Sequence, residues 1–416
     1  MTARLPVLLD CTRMVATGWT GRMPSGIDRV CDAYRAHFAP NAQAVVQVRG
    51  HARVLSPDHS AQLFDLLDSP GAGFRARLSA LAARVLARKP AAPEPALYLN
   101  VSHSDFDLDR HLGWVQASGV KPVYLLHDLI PIEHPQFTTP HKSARHAGRV
   151  RRAIEAASGI IANSHATARA IRAFAQGEGL APPPLLEAPL GAPLLPPPGP
   201  DPRKTTGRAS FVCVSTIEHR KNHMLLLDVW QRLIAQLGEA APQLVLIGRW
   251  GVGGKAVRQR YLADPQLHRF VTIHNDCSDA EIALHLRAAQ ALLAPSRAEG
   301  FGLPVAEALR LGVPVIASDL PAFREAGGTV PTFLDPAASD AWLQMIRQFA
   351  ADGPERQRQI IALKAWRAPD WRDHFVLVDG WLEGLLRAAP APGHLRAAND
   401  RGPGQGPDNA RAGSRR

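Results

Sequence analysis

Short apolar runs alternate with longer amphipathic stretches along most of the chain. In the first half, the predicted strands are residues 6–10, 44–48, 96–100, 122–126 and 159–163. A glycine-containing loop that includes Gly26 is predicted after the first strand, and helical patterns follow at about 27–38, 74–88 and 142–157. Apolar strands separated by helices are typical of a parallel sheet that is covered on both faces. This half of the sequence therefore predicts an α/β domain.

The same alternation returns in the second half. Here the predicted strands are 211–215, 244–248, 270–274, 291–295 and 314–318, and the predicted helices are 222–237, 279–287, 304–311 and 336–350. The fold class predicted is α/β, with two Rossmann-like doubly wound domains facing a central cleft. Ligands of such sheets bind outside the carboxyl ends of the strands.

Composition suggests where the domains begin and end. Residues 182–202 are too rich in proline for a helix or a central strand, so we expect an extended connection there. The predicted division is an N-terminal Rossmann-like domain (1–190), a proline-rich linker (191–208), a C-terminal Rossmann-like domain (209–370), a terminal helix (371–389) and a disordered basic tail (390–416).

Charge leaves several partners open. The 416 residues carry a formal net charge of +11, which attracts nucleic acid, anionic lipid or charged sugar donors unless the arginines simply lie on solvated faces. There is no run of 18 apolar residues, and the four scattered cysteines are typical of buried thiols in a reducing compartment. We expect a cytoplasmic protein, peripheral on the inner face of the membrane if it contacts lipid.

The segment 295–319 is the richest in candidate chemistry. A strand ends at Pro295, a loop with two glycines follows, and Pro304 begins a helix. The backbone N–H groups of Phe301, Gly302 and Leu303 would be free at a positive helix end, which suits an anion. Glu299 and Glu307 flank this loop, and carboxylates are good acceptors for sugar hydroxyls.

A second segment, 214–223, follows the first strand of the second domain. Arg220 and Lys221 are adjacent cations there, able to neutralise a diphosphate leaving group. Taken without the segment at 295–319, the pair would fit an exposed charged turn better than a binding site.

Together these residues resemble the retaining GT-B glycosyltransferases of family 4, also called glycosyl transferases group 1, and in particular its mannosyltransferase-like members. EGFGLPVAE has that family's spacing of two glutamates, and STIEHRKNH is similar to its phosphate-binding segment. HDLIPIEHP and APLGAP are similar to segments of the family's first domain. The resemblance reaches to about residue 388.

The resemblance implies a role for each matching residue. Glu299 would bind hydroxyls of the transferred sugar, Glu307 the ribose, and Arg220 and Lys221 the diphosphate, while His127 would face the sugar from the first domain. The complete set of implied donor-site residues is Gly26, His127, Ser215, Arg220, Lys221, Arg249, Glu299, Phe301, Gly302, Leu303 and Glu307. Ser215 stands near a position where many relatives have an arginine.

The resemblance also implies the reaction. A hexose, with mannose favoured, would pass from GDP-mannose or a UDP-sugar to a saccharide or lipid-linked acceptor, with retention of configuration and without a cofactor or metal. Asp105, Asp107 and Asp109 form two DxD patterns of the kind that hold a metal elsewhere, but they precede a predicted helix, where aspartate is favoured anyway.

Two further interpretations come from the basic residues. Residues 74–89 and 141–152 are cationic helices that would either rest weakly on anionic lipid or face solvent. A nucleic-acid-binding protein and a non-catalytic scaffold are the alternative functions. The first lacks a recognition motif, and the intact Glu299, Glu307 and Lys221 speak against the second.

Overall fold

The computed structural model describes residues 7–68, 71–88, 96–196 and 208–388, and these form two α/β domains with one sheet each. The predicted basic tail at 390–416 and most of the predicted linker lie outside the described residues. The first sheet has the strand order β3-β2-β1-β4-β5-β6-β7, and the second has the order β10-β9-β8-β11-β12-β13.

The first domain contains seven strands and eight helices within the described residues. Its strands are β1 (Val7–Asp10), β2 (Ala42–Val48), β3 (His51–Val54), β4 (Leu97–Asn100), β5 (Lys121–Leu126), β6 (Gly159–Ala162) and β7 (Leu185–Glu187). Its helices are α1 (Thr12–Thr20), α2 (Gly26–Phe38), α3 (Pro57–Asp68), α4 (Phe74–Leu86), α5 (Asp109–Ser118), α6 (Ile130–Glu133), α7 (Pro140–Ala156) and α8 (His165–Gly177).

The second domain follows the same plan. Its strands are β8 (Ser210–Val214), β9 (Gln243–Ile247), β10 (Val271–His274), β11 (Ala291–Ala294), β12 (Val315–Ser318) and β13 (Thr332–Leu334). Its helices are α9 (His223–Leu237), α10 (Gly254–Leu262), α11 (Leu267–Phe270), α12 (Asp279–Ala288), α13 (Leu303–Arg310), α14 (Pro321–Gly327), α15 (Ser339–Ala350) and α16 (Pro354–Leu363). All its strand pairs are parallel.

The final helix returns to the first domain. This helix, α17 (Trp371–Arg387), follows the second domain in sequence but buries Phe375, Val378 and Leu382 in the first domain's core. His374 bonds to the Tyr34 hydroxyl at 2.9 Å and to the carbonyl oxygen of Pro189 at 3.0 Å. The chain therefore passes twice between the domains, which restricts how far they separate.

The predicted α/β class and the two sheets are confirmed, and several details are corrected. The stretch after β1, predicted as a loop, contains α1, and the stretch 182–202 contributes β7 to the edge of the first sheet. The first sheet is not wholly parallel, since β3 pairs antiparallel with β2. These short edge elements lack the long apolar runs that make central strands visible in a sequence.

The two basic helices each make contacts within the protein. On α4, the apolar residues Leu78, Leu81 and Val85 are buried in the core, whereas Leu86 is exposed. On α7, Arg145 and Arg149 pair with Asp107, at 3.0 and 3.4 Å. Among the described residues, no helix is both long and apolar enough to cross a bilayer.

Candidate functional site

A cleft of about 410 Å³ lies between the domains, at the carboxyl ends of the central strands of both sheets. It is the place that doubly wound folds use for ligands. Every residue that the sequence singled out for the donor site lines this cleft: Gly26, His127, Ser215, Arg220, Lys221, Arg249, Glu299, Phe301, Gly302, Leu303 and Glu307. The structure thus brings together positions that are up to 281 residues apart (26 to 307).

Glu299 is the centre of a buried ionic cluster. Its carboxylate accepts hydrogen bonds from the Ser296 hydroxyl at 2.6 Å, from the Arg220 guanidinium at 3.0 Å and from the Lys221 ammonium. Burial by itself would raise the pKa of Glu299, but Lys221, Arg220 and these hydrogen bonds prevail and hold the pKa at about 2. Glu299 is therefore ionised throughout the physiological range.

Arg220 is held by more than Glu299. Its guanidinium also donates to Glu218 at 2.8 Å and to the carbonyl oxygen of Ala298 at 2.6 Å. Burial would lower the pKa of Arg220, but Glu299, Glu218 and Asp128 raise it above its usual value. Sequence analysis missed Glu218, which reads as an ordinary turn residue. With Glu218 included, the cluster has two cations and two carboxylates, and so no net charge.

Lys221 is the more deeply buried of the two cations. Its side chain is 13% exposed, and burial lowers its pKa although Glu299 raises it. The two cations are carried by a single turn of 3-10 helix, His219–Lys221, between β8 and α9. That turn places both side chains against the loop 295–302, at the wall of the cleft. A ligand anion in the cleft would therefore contact two cations whose charge the protein already balances.

The start of α13 offers backbone donors to the same space. Gly302 is the residue before the helix and has φ of +105°, which disfavours any residue with a side chain. A Cβ at Gly302 would also lie 2.6 Å from the ring of Phe323. The N–H groups of Phe301, Gly302 and Leu303 form no hydrogen bond within the described part of the chain, so they are available to an anion at the positive helix end.

Glu307 lies one turn into α13 and is buried, with 4% of its side chain exposed. Its Oε1 has no hydrogen-bond partner among the described residues, although the guanidinium of Arg29 approaches to 3.2 Å. Burial raises the pKa of Glu307, Arg29 lowers it and Asp279 raises it, and the net shift is upward. A buried carboxylate with unused acceptor capacity suits a ligand that carries hydroxyl groups.

His127 follows β5 and faces the cleft from the first domain. Its Nε2 lies 2.8 Å from the carbonyl oxygen of Val101, which only accepts, so Nε2 carries the hydrogen and Nδ1 is a bare acceptor. Burial lowers the pKa of His127 to about 4, so the ring is neutral at neutral pH. The arrangement provides a neutral acceptor for a ligand hydroxyl.

The two domains contact each other beside His127. A side chain at Gly300 would collide with the carbonyl oxygen of His127, so the close approach of the loops requires glycine there. Ser164 donates to the carbonyl oxygen of Gly300 at 2.7 Å. Glu325 accepts from the first two N–H groups of α8, those of His165 and Ala166, at 2.7 and 2.9 Å.

Gly26 lies elsewhere than predicted. It is not in a loop but is the first residue of α2, behind the capping residue Ser25, whose N–H and hydroxyl both donate to Asp28. A Cβ at Gly26 would be 3.4 Å from Leu303, an ordinary contact, so the protein itself leaves room for a side chain. Any requirement for glycine would come from a ligand in the cleft.

Ser215 and Arg249 occupy the far end of the cleft. The Ser215 hydroxyl is 3.3 Å from Nε2 of His223, beneath the cleft surface. The half-buried Arg249 guanidinium has no hydrogen-bond or ion-pair partner in the part of the chain that the structure describes. Arg249 is therefore a cation that the protein does not neutralise, unlike Arg220 and Lys221.

The aspartates of the two DxD patterns have partners within the protein. Asp105 accepts from the backbone of Gly50 at 3.0 Å, Asp107 pairs with arginines of α7, and Asp109 pairs with Arg152 at 2.6 Å. Within the described ranges, no three His, Cys, Asp or Glu side chains are grouped so as to hold a metal ion. Asp107 and Asp109 therefore fasten α7 to the start of α5, and Asp105 holds the turn between β2 and β3.

Comparison with known proteins agrees with this geometry. Residues 208–352 match the model of the family described as glycosyl transferases group 1. The serotype-specific mannosyltransferase WbdA of Escherichia coli is 27% identical over 258 residues, which are 57% of this chain and 31% of WbdA. The phosphatidyl-myo-inositol mannosyltransferase of Mycobacterium leprae is 32% identical over 162 residues, 37% of this chain and 40% of that protein. The matches thus span less than half the length of these relatives.

One solved structure is similar in fold over nearly the whole chain. The fold superposes on Anabaena Alr3699/HepE, crystallised in complex with UDP and glucose, with a TM-score of 0.62 at 18% identity, covering 92% of this chain and 100% of that one. At this identity the likeness establishes the fold, which is GT-B. The family match at residues 208–352 includes EGFGLPVAE and STIEHRKNH, so their resemblance to glycosyl transferases group 1 is confirmed.

Proposed function

We propose, from the premise that residues 208–352 form a glycosyl transferases group 1 domain within a mannosyltransferase-like GT-B chain, that the protein is a retaining hexosyltransferase. It would move a hexose from a nucleotide-sugar donor to a saccharide or lipid-linked acceptor in polysaccharide or glycolipid synthesis. The observation that carries the proposal is the assembly of Glu299, Arg220, Lys221, Glu307 and the free start of α13 around one cleft.

The proposed mechanism follows the movement of charge. As the bond from sugar to diphosphate breaks, negative charge grows on the leaving group, and the start of α13 stabilises it together with Arg220, Lys221 and Arg249. The sugar becomes oxocarbenium-like, and the acceptor attacks the face that the diphosphate leaves, while the leaving phosphate takes the acceptor's proton. His127, neutral and with Nδ1 bare, accepts a hydrogen bond from a sugar hydroxyl.

Glu299 has a structural part in addition to the one that the resemblance implies. Both oxygens of its carboxylate already accept hydrogen bonds from protein groups, from Arg220 on one side and from Ser296 and Lys221 on the other. Each carboxylate oxygen accepts about two hydrogen bonds, so some capacity remains for a sugar hydroxyl. Its first task is to hold the two cations in place before the donor arrives.

The donor is proposed to be GDP-mannose, with UDP-sugars as the second choice. WbdA and the Mycobacterium leprae relative are named as mannosyltransferases, whereas HepE was crystallised with UDP and glucose. A thermal-shift panel of GDP-mannose, UDP-glucose, GDP and UDP tests the choice, because a ligand of the folded state raises the melting temperature. Stabilisation by neither nucleotide would contradict the proposal.

Product stereochemistry tests retention. The anomeric configuration of the transferred sugar, read by NMR from a product made with the donor that the panel selects, is expected to match that of the donor. An inverted centre would exclude the same-face mechanism while leaving the nucleotide-sugar assignment intact.

The acceptor is proposed to enter through a second cavity. This cavity, of about 310 Å³, shares Asp128, Glu299 and Gly300 with the donor cleft and is lined on its outer side by Glu133 and Arg169. Polar and charged side chains of this kind suit saccharide hydroxyls. Glu133→Gln is expected to raise the KM for acceptor while leaving hydrolysis of the donor by water unchanged.

No metal or other cofactor is proposed for the reaction. The leaving group is stabilised by Arg220, Lys221, Arg249 and the start of α13. The three aspartates that could have suggested a metal bind within the protein, Asp107 and Asp109 to arginines and Asp105 to the backbone of Gly50. Dialysis against EDTA is expected to leave turnover nearly unchanged. Loss of activity that Mn²⁺ or Mg²⁺ restores would contradict this part of the proposal.

A weak contact with an anionic membrane, at its cytoplasmic face, is also proposed. The surface that supports it is the outer side of α4, which carries the exposed Leu86 at its end. At the start of the same helix, the Arg75 guanidinium lies 5.8 Å from the ring centroid of the half-exposed Trp19. Because the apolar side of α4 is buried, binding would be electrostatic and sensitive to salt. Flotation with anionic but not neutral liposomes at low salt is expected, and equal flotation with both would contradict it.

The alternative functions gain no support. Cations on α7 that could have met nucleic acid are engaged by carboxylates, as Arg152 is by Asp109 and Arg151 by Glu178. A scaffold has no need for the buried cluster around Glu299, since burying charges is costly unless they serve another purpose.

A further inference from the structure

Arg29 is a residue of the first domain whose side chain crosses the cleft to the second. It lies in the first turn of α2, and its Nη2 donates to Asp279 on α12 at 2.5 Å, while its Nη1 lies 3.2 Å from Oε1 of Glu307 on α13. The Arg29 side chain is 17% exposed. One guanidinium therefore joins three helices of two domains at the donor cleft.

The position of Arg29 is fixed by contacts at the start of α2. The start of α2 is closed by a capping box between Ser25 and Asp28, and Asp28 also accepts from Arg13 of α1 at 2.6 Å. The pKa of Asp28 is lowered: burial would raise it, but Arg13 and Ser25 outweigh that effect. These contacts fix the first turn of α2. Arg29 follows Asp28 in that turn, so its side chain is directed across the cleft toward Asp279 and Glu307.

In the described part of the chain, the carboxylate of Glu307 lacks a hydrogen-bond donor for one of its oxygens. Oε1 is buried and forms no hydrogen bond within the described residues, because the approach of Arg29 has the distance of an ion pair without hydrogen-bond geometry. Buried polar atoms in folded proteins are nearly always hydrogen-bonded. Glu307 itself lines the cleft, where vicinal hydroxyls such as those of a ribose would give its carboxylate the partners that the described residues do not supply.

We propose that Arg29 is a positioning residue for the donor nucleotide: from the opposite domain it keeps Glu307 ionised and aimed into the cleft, so that Glu307 accepts the ribose hydroxyls. The inference rests on the proposed nucleotide-sugar function and adds to it a residue that does not belong to the domain that binds the nucleotide. Arg29 acts through Glu307 and not on the reacting bond.

The charges around Glu307 explain why it needs Arg29. Two charged side chains face it, Arg29 from α2 and Asp279 from α12, and Asp279 disfavours a second negative charge. An ionised carboxylate accepts stronger hydrogen bonds than a neutral acid. If the guanidinium is removed, Glu307 holds a proton up to a higher pH and accepts less well from the ribose.

Calorimetric titration of the full chain with GDP and with UDP tests the proposal. Arg29→Gln is expected to weaken binding of the nucleotide that the parent prefers by about tenfold at neutral pH. Because binding requires the ionised carboxylate, it is lost as pH falls through the pKa of Glu307, and in R29Q this loss should begin at a higher pH than in the parent. Arg29→Lys should restore part of the affinity.

A double-mutant cycle separates this role from a structural one. If Arg29 acts through Glu307, then R29Q should have little further effect on nucleotide affinity in an E307Q background. Arg151→Gln is the control, since Arg151 forms an ion pair with Glu178 on the same domain but away from the cleft. Circular dichroism of each variant verifies that it is folded.

The outcomes are distinct. Parent-like affinity and pH dependence in R29Q, or full additivity of R29Q and E307Q, would overturn the role of Arg29 while leaving the proposed function standing. A parent protein that binds neither GDP nor UDP would remove the proposed function, and the inference with it.

Discussion

Lys221 and Glu299 form an ion pair inside the donor cleft, although 78 positions separate them in the chain. The resemblance gives them separate tasks, the diphosphate for Lys221 and the sugar for Glu299. In the structure, each is the principal charged partner of the other, and Arg220 shares the same carboxylate. The loop 295–302 and the turn after β8 are therefore joined by these ion pairs. Replacing Lys221 or Glu299 leaves the other side chain without its principal charged partner.

Glu299→Gln should lower stability as well as activity. It leaves two buried cations facing an amide, and breaking a buried pair by removing one partner costs about 3 kcal/mol or more. Turnover should fall by at least about a hundredfold as the cations lose their positions. Urea unfolding and donor turnover measure the two effects.

The pH dependence of the same pair has a definite sign. Because the folded pKa of Glu299 is about 2, against 4.5 for the ordinary group, its contribution to stability is present above about 4.5 and disappears as pH falls toward 2. In E299Q this dependence should be absent. Glu239→Gln, at an exposed carboxylate paired with Arg208, is the control and should resemble the parent.

Arg249 and Arg220 should respond differently to the same substitution. Arg249→Gln removes a cation that no described residue neutralises, so the donor KM should rise by about tenfold while unfolding in urea is unchanged. Arg220→Gln breaks bonds to Glu218, Glu299 and Ala298, so it should lower stability by about 2 kcal/mol in addition to reducing turnover. Equal stabilities of the two variants would show that these bonds contribute nothing.

Much of the fold and the site could be predicted because they follow local rules. The central strands are mostly apolar, as is usual for strands buried on both faces. The predicted cleft residues lie in segments that follow a strand or in the first two turns of a helix. The spacing of Glu299 and Glu307 is itself a local property, set by one loop and one helical turn.

What could not be predicted depends on contacts between distant parts of the chain. Arg29 looks like any solvated helix residue, and nothing nearby in sequence indicates that Asp279 and Glu307 face it. The same holds for Glu218, whose contribution depends on the hydrogen bond that it accepts from Arg220 in the folded chain. The return of α17 to the first domain is likewise invisible, since its apolar face would fit either core.

His127 should act as a neutral group. With its pKa near 4, it stays uncharged from about pH 5.5 upward, so the donor kcat/KM should show no limb from its titration between about pH 5.5 and 7. His127→Ala removes the bare Nδ1 acceptor and should lower kcat/KM by about a hundredfold. A parent profile with a limb near pH 6.5 that vanishes in H127A would contradict the neutral assignment.

Two neighbouring residues of α17 test whether that helix completes the first domain. Phe375 is 6% exposed and packs with Tyr34 and Phe38, whereas Val376 is 67% exposed. Phe375→Ala should cost about 3 kcal/mol of unfolding free energy, and Val376→Ala less than about 0.5 kcal/mol. Hydrogen exchange should show the loss in the first sheet, and unchanged protection there would mean that α17 is only loosely attached.

Acid should weaken the fold through histidines that are buried in the neutral form. Burial lowers the pKa of His111, His127, His223 and His374 to about 4 from 6.5. Between about pH 6.5 and 4 the unfolded chain takes up protons that the folded chain does not, so stability decreases as pH falls, by up to about 1.4 kcal/mol per pH unit for each group.

Asp10 works in the opposite direction over part of that range. Burial raises its pKa to about 6, so the folded protein holds a proton there that the unfolded chain releases. A single variant isolates one histidine from this background. In His374→Gln the amide can still bond to Tyr34 and Pro189 but does not titrate, so its stability should fall less steeply than the parent's between pH 6.5 and 4. Parallel pH profiles for H374Q and the parent in urea unfolding would show that His374 is not held neutral by the fold.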